Sequence, residues 1–168
     1  MIFAAWWQNV GSTLRAEFAD LADPVWVTQV VVRLLIAAIL GGILGYEREK
    51  RGKAAGLRTH MLVALGSALF VLVPQHIGVS VDHLTRVIQG VVAGIGFLGA
   101  GSIIKGSSEE SIKGLTTAAG IWLTAAIGVA AGLGREATAV LCTLLALLII
   151  SLLPRVERLL ERREDSRS

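Results

Sequence analysis

Two apolar segments crowded with small residues constrain this chain more than any other feature of its sequence. Residues 90–101 read GVVAGIGFLGAG and residues 114–134 read GLTTAAGIWLTAAIGVAAGLG, and neither contains a charge. In water, a glycine inside a helix costs about 1 kcal/mol relative to alanine. In lipid, small residues let helix backbones approach closely, and hydroxyl groups can bond between helices. The pattern therefore predicts tightly packed membrane helices.

The composition agrees with a membrane location. Of the 168 residues, 54% are hydrophobic and 17% are charged, which is too apolar for an ordinary soluble domain. A spanning helix needs about 20 mostly apolar residues, and the stretches that meet or nearly meet this length are 25–46, 57–73, 87–104, 115–133 and 137–153. Aromatic residues make up only 5% of the chain, which disfavours an outer-membrane barrel. We predict an all-α bundle of about five transmembrane helices.

The two ends of the chain lie outside this bundle. Residues 1–24 place Trp6, Trp7 and Phe18 beside acidic side chains, which fits either an amphipathic segment at the headgroup level or a loosely ordered tail. They lack the basic region and apolar core of a cleaved signal, so we expect mature sequence. Residues 154–168 predict a basic helical tail, with partner binding as an alternative. The transmembrane domain is then 25–153.

The basic residues predict an orientation. If five helices cross the membrane, three segments that contain most of the basic residues lie on the same side. These residues are Arg48, Lys50, Arg51, Lys53 and Arg58; Lys105 and Lys113; and Arg155, Arg158, Arg162, Arg163 and Arg167. The other side receives only Arg15, Arg86 and Arg135. The positive-inside rule then puts the amino terminus outside and the carboxyl terminus in the cytoplasm. The net charge is +3, and the uneven placement of the basic residues is explained by insertion of the chain into the membrane and by contact with anionic lipid. Nucleic acid is therefore not an expected partner.

Arg33 is the residue that apolarity cannot explain. It follows VVV and precedes LLIAAIL, one to two turns into the bilayer. An arginine at mid-membrane costs roughly 2.5–3.5 kcal/mol, and such residues usually face the bundle interior. An internal ion pair or functional role is one interpretation. Snorkelling to the outer headgroups, helped by Asp20 or Asp23, is the other.

Several uncharged polar side chains inside the spans can bond between helices. Among them are Ser67, Gln89, Thr116, Thr117 and Thr124. Bonding between helices is the default role for each one, although together with Arg33 they could line a polar path. No aspartate or glutamate lies inside an apolar run. This absence argues against a cation transporter or a proton relay, which generally needs a carboxylate within the membrane.

Glycines recur at the spacing that lets helices cross closely. The small-xxx-small pairs are Gly41 and Gly45, Gly90 and Gly94, and Gly128 and Gly132. They predict packing within one subunit or across a dimer. Gly94, Gly96 and Gly99 also match GxGxxG, but a dinucleotide fold is rejected because no βαβ unit surrounds them. An unwound helix with exposed carbonyls between residues 94 and 101 is an alternative.

Charged residues cluster at the end of the first predicted helix. Glu47, Arg48 and Glu49 are followed by Arg58 at the start of the second helix. The plain interpretation is a salt-bridged cluster in which Arg58 meets Glu47 or Glu49, and the alternative is weak magnesium binding by these carboxylates. No nucleophile elbow, phosphate loop or metal-spaced histidines are present. We therefore expect no enzyme activity and no cofactor beyond weakly bound magnesium or lipid.

These motifs together resemble the membrane domain of the MgtC/SapB family. The resemblance rests on RLLIAAILGGILGYEREKRGKAAGLRTHMLVALGSALF, QGVVAGIGFLGAGSII and KGLTTAAGIWLTAAIGVAAGLG, in that order, and covers about residues 33–153. It implies a multi-pass protein of the bacterial inner membrane, associated with magnesium limitation and, in pathogens, with survival inside host cells. Many members continue into a soluble carboxy-terminal domain, which we do not expect here.

The resemblance also implies which residues carry the function. From the first two motifs these are Arg33, Glu47, Arg48, Glu49, Gly56, Arg58, Thr59 and His60. From the later motifs they are Gln89, Gly94, Gly96, Phe97, Leu98, Gly99, Gly101, Thr116, Thr117 and Trp122. We predict a regulatory protein that forms a homo-oligomer, with a dimer favoured, and that binds a partner membrane protein or lipid. The rivals are a small channel or transporter near Arg33 and Gln89, and a purely structural scaffold.

Overall fold

The chain is almost entirely helical in a computed structural model that describes residues 2–103 and 114–165. The helices are α1 (Ile2–Glu17), α2 (Pro24–Lys50), α3 (Leu57–His76), α4 (Val81–Ile103), α5 (Leu115–Gly132) and α6 (Glu136–Asp165), and a 3₁₀ turn covers Ala19–Ala22. The described ranges contain no β-strand. Helices α2 to α6 supply five segments long and apolar enough to cross a membrane. The predicted all-α bundle is confirmed.

Residues Met1–Val32 form the first of two compact units. Helix α1 is followed by the 3₁₀ turn and the first residues of α2. The rings of Trp6 and Trp7 meet edge to face, with centroids 4.6 Å apart and planes at 75°. The amino-terminal segment is therefore helical, and its position at the headgroup level remains a prediction.

The second unit, Arg33–Ser168, contains the rest of the bundle. Helix α3 packs against α2 on one side through two glycines. A Cβ atom on Gly41 would lie 2.6 Å from the carbonyl oxygen of His60, and one on Gly45 would lie 2.7 Å from the Cα of Leu57. Both distances are too short for any side chain. The close approach of α2 and α3 therefore requires glycine at these positions.

Helix α5 packs against α3 through a second pair of glycines. A Cβ on Gly128 would overlap the carbonyl oxygen of Ala64, and one on Gly132 would overlap that of Ala68. Ala64 and Ala68 are both fully buried. Glycine and alanine thus bring the two backbones into direct contact, and the predicted small-residue packing is realised within one subunit.

The third predicted pair behaves differently. In the described part of the chain, no atom lies within 4 Å of a Cβ placed on Gly90 or Gly94. These glycines lie on α4, which contacts α3 and α5 but runs without a break from Val81 to Ile103. The unwound helix offered as an alternative is wrong, because the glycines leave the helical backbone intact.

The core between the helices is made largely of alanine. It contains Ala37, Leu40, Leu44, Ala64, Ala68, Ile127, Ala131, Ala139 and Ala146. The alanine side chain is small, so neighbouring helix backbones can lie close together, and it loses no side-chain entropy on burial. The stability of the bundle therefore depends on close backbone contact more than on interlocking large side chains.

Candidate functional site

Arg33 joins four helices at one end of the bundle, where α3 and α5 end and α6 begins. Its Nη1 donates to the Oε1 of Gln75 on α3 at 2.9 Å and to the carbonyl oxygen of Gly132 on α5 at 3.0 Å. Its Nε lies 3.9 Å from the Oε1 of Glu136 on α6, and 19% of its side chain is exposed. The structure therefore gives Arg33 an ion pair with Glu136, whose side chain is partly exposed.

The helix ends around Arg33 complement its charge. The last carbonyl groups of a helix lack intrahelical partners and carry a partial negative charge, and one of them belongs to Gly132. Glu136 occupies the first turn of α6, where a negative charge is favoured. Gly134 between them has φ +74°, and any Cβ there would lie 2.6 Å from Nη2 of Arg33. The positive φ favours glycine at this position of the α5–α6 turn.

A second polar cluster lies at the opposite end of α2. Arg48 is only 4% exposed, and its Nη2 donates to the Oγ1 of Thr116 on α5 at 3.1 Å. His60 on α3 is fully buried, and its Nδ1 lies 3.0 Å from the carbonyl oxygen of Gly56. Arg33 and Arg48 are 15 residues apart on α2, or about 22 Å along its axis. The two clusters therefore lie near opposite ends of the bundle.

Glu49 and Gly56 fix the connection between α2 and α3. The Oε2 of Glu49 accepts a hydrogen bond from the backbone N–H of Leu57 at 2.8 Å, so the carboxylate caps α3. A Cβ on Gly56 would overlap that same oxygen. Glycine at 56 is thus a condition for the cap.

We expect Glu49→Ala to lower the free energy of unfolding by about 1 kcal/mol, because the first turn of α3 loses its acceptor. Glu49→Gln keeps an acceptor oxygen and should lose less. Thermal unfolding of the two variants in the same detergent tests this. Equal stability of Glu49→Ala and the unmodified protein would contradict the capping role.

Arg58 was expected to pair with Glu47 or Glu49, but in the structure both carboxylates have other partners. Glu47 forms its ion pair with Arg51, four residues along the same chain, and Glu49 caps α3. Arg58 is exposed, because its position in the first turn of α3 directs it outward. Within the described ranges, no group of three or more His, Cys, Asp or Glu side chains could hold a metal ion.

The remaining predicted site residues are dispersed. Thr117 is buried, while Thr59 and Gln89 are exposed and Trp122 is about half exposed. In the glycine-rich motif of α4, Gly99 contacts Ala118 on α5, whereas Gly96, Leu98 and Gly101 are exposed and Phe97 is 81% exposed. Gln89 is not among the partners of Arg33 that the structure gives. The polar path imagined from Arg33 to Gln89 is therefore not assembled in the described residues.

A groove of about 600 Å³ separates α3 and α4. Its lining residues are Leu62, Val63, Gly66, Ser67, Phe70, Val87, Gly90, Val91, Gly94, Ile95 and Leu98. Ser67 is the one polar side chain among them. Such a surface suits apolar chains and offers none of the carboxylate ligands that magnesium favours.

Gln75 and Glu136 are site residues that the sequence reasoning missed. A signal for both was present, since five crossings place Gln75 and Glu136 on the same side of the membrane as Arg33. Comparing the predicted depths of polar residues in the membrane would have paired Arg33 with Gln75 and Glu136. Proximity to Arg33 along the chain pointed only to the acidic residues Asp20 and Asp23.

These features define a multi-pass α-helical membrane protein whose helices are held by small residues and by a polar cluster near each end of the bundle. The sequence matches the MgtC family over residues 34–159. The chain belongs to the MgtC family.

Curated relatives agree with this assignment. The chain is 45% identical to Protein SrpB of Synechococcus elongatus over 138 residues, which cover 76% of each protein. It is 44% identical over 130 residues to an Escherichia coli protein named Putative magnesium transporter YhiD, covering 73% of this chain and 59% of that protein. It is 43% identical over 117 residues to Protein MgtC of Salmonella typhimurium, covering 70% of this chain and 49% of that protein. No solved structure matches the chain.

Proposed function

We propose that this chain is a non-enzymatic protein of the bacterial inner membrane that modulates a partner membrane protein, or the ion and energy balance of the cell, when magnesium is scarce. The magnesium link comes from the family and from the name of the relative YhiD. The proposed orientation places the Arg48 cluster at the cytoplasmic surface, because the basic residues of the α2–α3 connection lie beside it.

One observation carries the preference for a modulator over a transporter. Between the Arg33 and Arg48 clusters, the α2–α3 and α3–α5 interfaces are closed by backbone contact at Gly41, Ala64, Gly128 and Gly132. A hydrated route needs polar groups and room for water along its length. Contacts that exclude even a methyl group leave no such route between these helices.

The outer face of α4 supports a role in contacting another membrane protein. We define this face by Gln89, Ala93, Gly96 and Ala100, with Phe97 at its margin, and every one of them is exposed. They recur at helical spacing, so they lie on one side of α4. Small residues with one amide suit close helix contact in lipid. The proposed occupant is a helix of a partner protein or of a second copy in a homodimer.

Transport measurements test the first part of the proposal. Purified protein is reconstituted in liposomes that contain a magnesium-sensitive dye, and magnesium is added outside. We expect the same influx as in protein-free liposomes. Influx above that level that Arg33→Ala abolishes would overturn the proposal.

Growth at low magnesium tests the second part. In a strain deleted for this protein, the unmodified chain should restore growth and Phe97→Ala should restore it at least several-fold less. The matched control is Leu148→Ala, which removes a half-exposed apolar side chain from α6. Folded yield is measured for each variant. Full rescue by Phe97→Ala would exclude the outer face of α4 from the function.

Transport remains the second candidate function, because the relative YhiD is named a putative magnesium transporter. The α3–α4 groove is the feature that favours it, since it contains Ser67 and lies beside Gly90 and Gly94. The flux measurement decides between the two candidates. In a transporter, Gly94→Leu should reduce influx by narrowing this groove.

A further inference from the structure

Two enclosed nitrogen atoms converge beside Gly120 on α5. The Nε2 of His60 and the Nε of Arg48 make no hydrogen bond to any group in residues 2–103 or 114–165. A Cβ placed on Gly120 would lie 3.5 Å from the first and 3.9 Å from the second. No other atom of the described residues comes within 4 Å of that position, outside the local backbone of α5. Both residues are more than nine-tenths buried.

The hydrogen-bond roles of these atoms differ. The Nδ1 of His60 faces the carbonyl oxygen of Gly56, which can only accept, so Nδ1 carries the hydrogen. In the neutral ring, Nε2 then carries a lone pair and needs a donor. The Nε of Arg48 carries a hydrogen and needs an acceptor. A group that fits between them must accept from Arg48 and donate to His60.

We propose that one water molecule binds between Arg48, His60 and Gly120 and joins α2, α3 and α5 by hydrogen bonds. A hydroxyl group both accepts and donates a hydrogen bond, whereas chloride only accepts one and a metal ion does neither. Water is the smallest such molecule, and apart from these two nitrogens no group of a neighbouring helix in the described residues lies within 4 Å of the position where a Cβ on Gly120 would be. A buried water that satisfies polar groups in this way is a regular part of protein structure.

Substitution of Gly120 tests the site directly. Gly120→Ala places a methyl group at van der Waals distance from both nitrogens, without a backbone clash. It displaces the water and leaves two polar atoms unpaired, so we expect the midpoint of thermal unfolding in detergent to fall by roughly 3–6 °C. Gly120→Ser adds a hydroxyl group one bond beyond that Cβ, which can bond to the two nitrogens in place of the water. We expect it to recover at least half of that loss.

Gly94 provides the matched control. It also lies inside a helix, and no described atom is within 4 Å of a Cβ placed there. Serine at position 94 should therefore be no more stable than alanine. The proposal fails if Ser and Ala are equivalent at position 120, or if Gly120→Ala is as stable as the unmodified protein.

Two further measurements distinguish a bound water from a carboxylate that reaches the same position. Exchanging Glu109 and Glu110 for glutamine should leave the Ser–Ala difference at position 120 unchanged. If the stability difference between Ser and Ala at position 120 disappeared, the group bound at the site would be a carboxylate of Glu109 or Glu110 and not water. In the unmodified protein labelled at histidine, nuclear magnetic resonance should give a cross-peak between the His60 ring and a long-lived water. A His60 ring without that cross-peak would overturn the proposal even if the Gly120 variants fail to fold.

Discussion

Gly128→Ala is expected to lower the free energy of unfolding by about 1–3 kcal/mol, although it adds a single methyl group. The new Cβ would overlap the carbonyl oxygen of Ala64, so α3 and α5 must move apart. A backbone carbonyl cannot rotate away as a flexible side chain can. Because Gly132 makes the same kind of contact with Ala68 one turn later, the separation would weaken both contacts. The folded fraction after extraction in mild detergent and the midpoint of thermal unfolding measure this effect.

Gly94→Ala is the control for that experiment. The two substitutions are chemically identical, and both positions lie in apolar spans of the same bundle. At Gly94, however, no described atom is within 4 Å of the added methyl group. We expect its stability to stay within about 0.5 kcal/mol of the unmodified protein. Similar losses at positions 94 and 128 would contradict the helix contacts described above.

Arg33→Met is expected to cost about 1–3 kcal/mol in free energy of unfolding, because it leaves the groups around Arg33 unpaired. The Oε1 of Gln75 and the carbonyl oxygen of Gly132 lose their donor, and Glu136 loses its cation. The side chain is partly exposed, so water screens some of this loss. Thermal unfolding in detergent provides the measurement.

A double variant and a control sharpen the test of Arg33. Arg33→Met combined with Glu136→Met removes both charges, so it should recover part of the stability lost in the single variant. Arg86→Met removes an exposed arginine near the first turns of α4 and should change stability by less than about 0.5 kcal/mol. If Arg33→Met behaved like Arg86→Met, Arg33 would not hold the helices together.

The stability and functional tests also address the scaffold hypothesis. In a purely structural protein, substitutions in either polar cluster would reduce growth at low magnesium only as far as they reduce folded protein. A modulator should have at least one variant, for which we expect Phe97→Ala, that folds normally and fails to support growth. Measuring folded yield and growth on the same variants distinguishes the two roles.

The sequence predicted the helices well because each span satisfies one physical rule by itself. About 20 apolar residues must form a helix in lipid, since every backbone polar group has to be bonded internally. The predicted spans 57–73 and 115–133 therefore differ little from Leu57–His76 and Leu115–Gly132. The MgtC family was also recognisable, because its motifs are long and follow one another in order.

The candidate site was predicted only in part. Arg33 and Arg48 stand out in the sequence because a charge near or within an apolar run is costly. Thr116 was also among the predicted site residues, but the pairings were not predicted, because Gln75 and Thr116 are ordinary polar residues that are 42 and 68 positions away from Arg33 and Arg48. Glu47 pairs with Arg51, four residues further along, where Arg58 was expected; this spacing is that of neighbouring side chains on one helix face, so the sequence contained the signal.

The sequence by itself determined a bundle of membrane-spanning helices, because the cost of exposing a backbone to lipid depends only on local composition. Spacing could not say which glycines pack within the chain, since all three pairs have the same four-residue repeat. Only the tertiary structure decided that Gly41, Gly45, Gly128 and Gly132 close the interfaces of α3, while Gly90 and Gly94 line a groove. The physical reason is that close contact requires a particular backbone opposite each glycine, and the long-range arrangement of the helices decides which backbone that is.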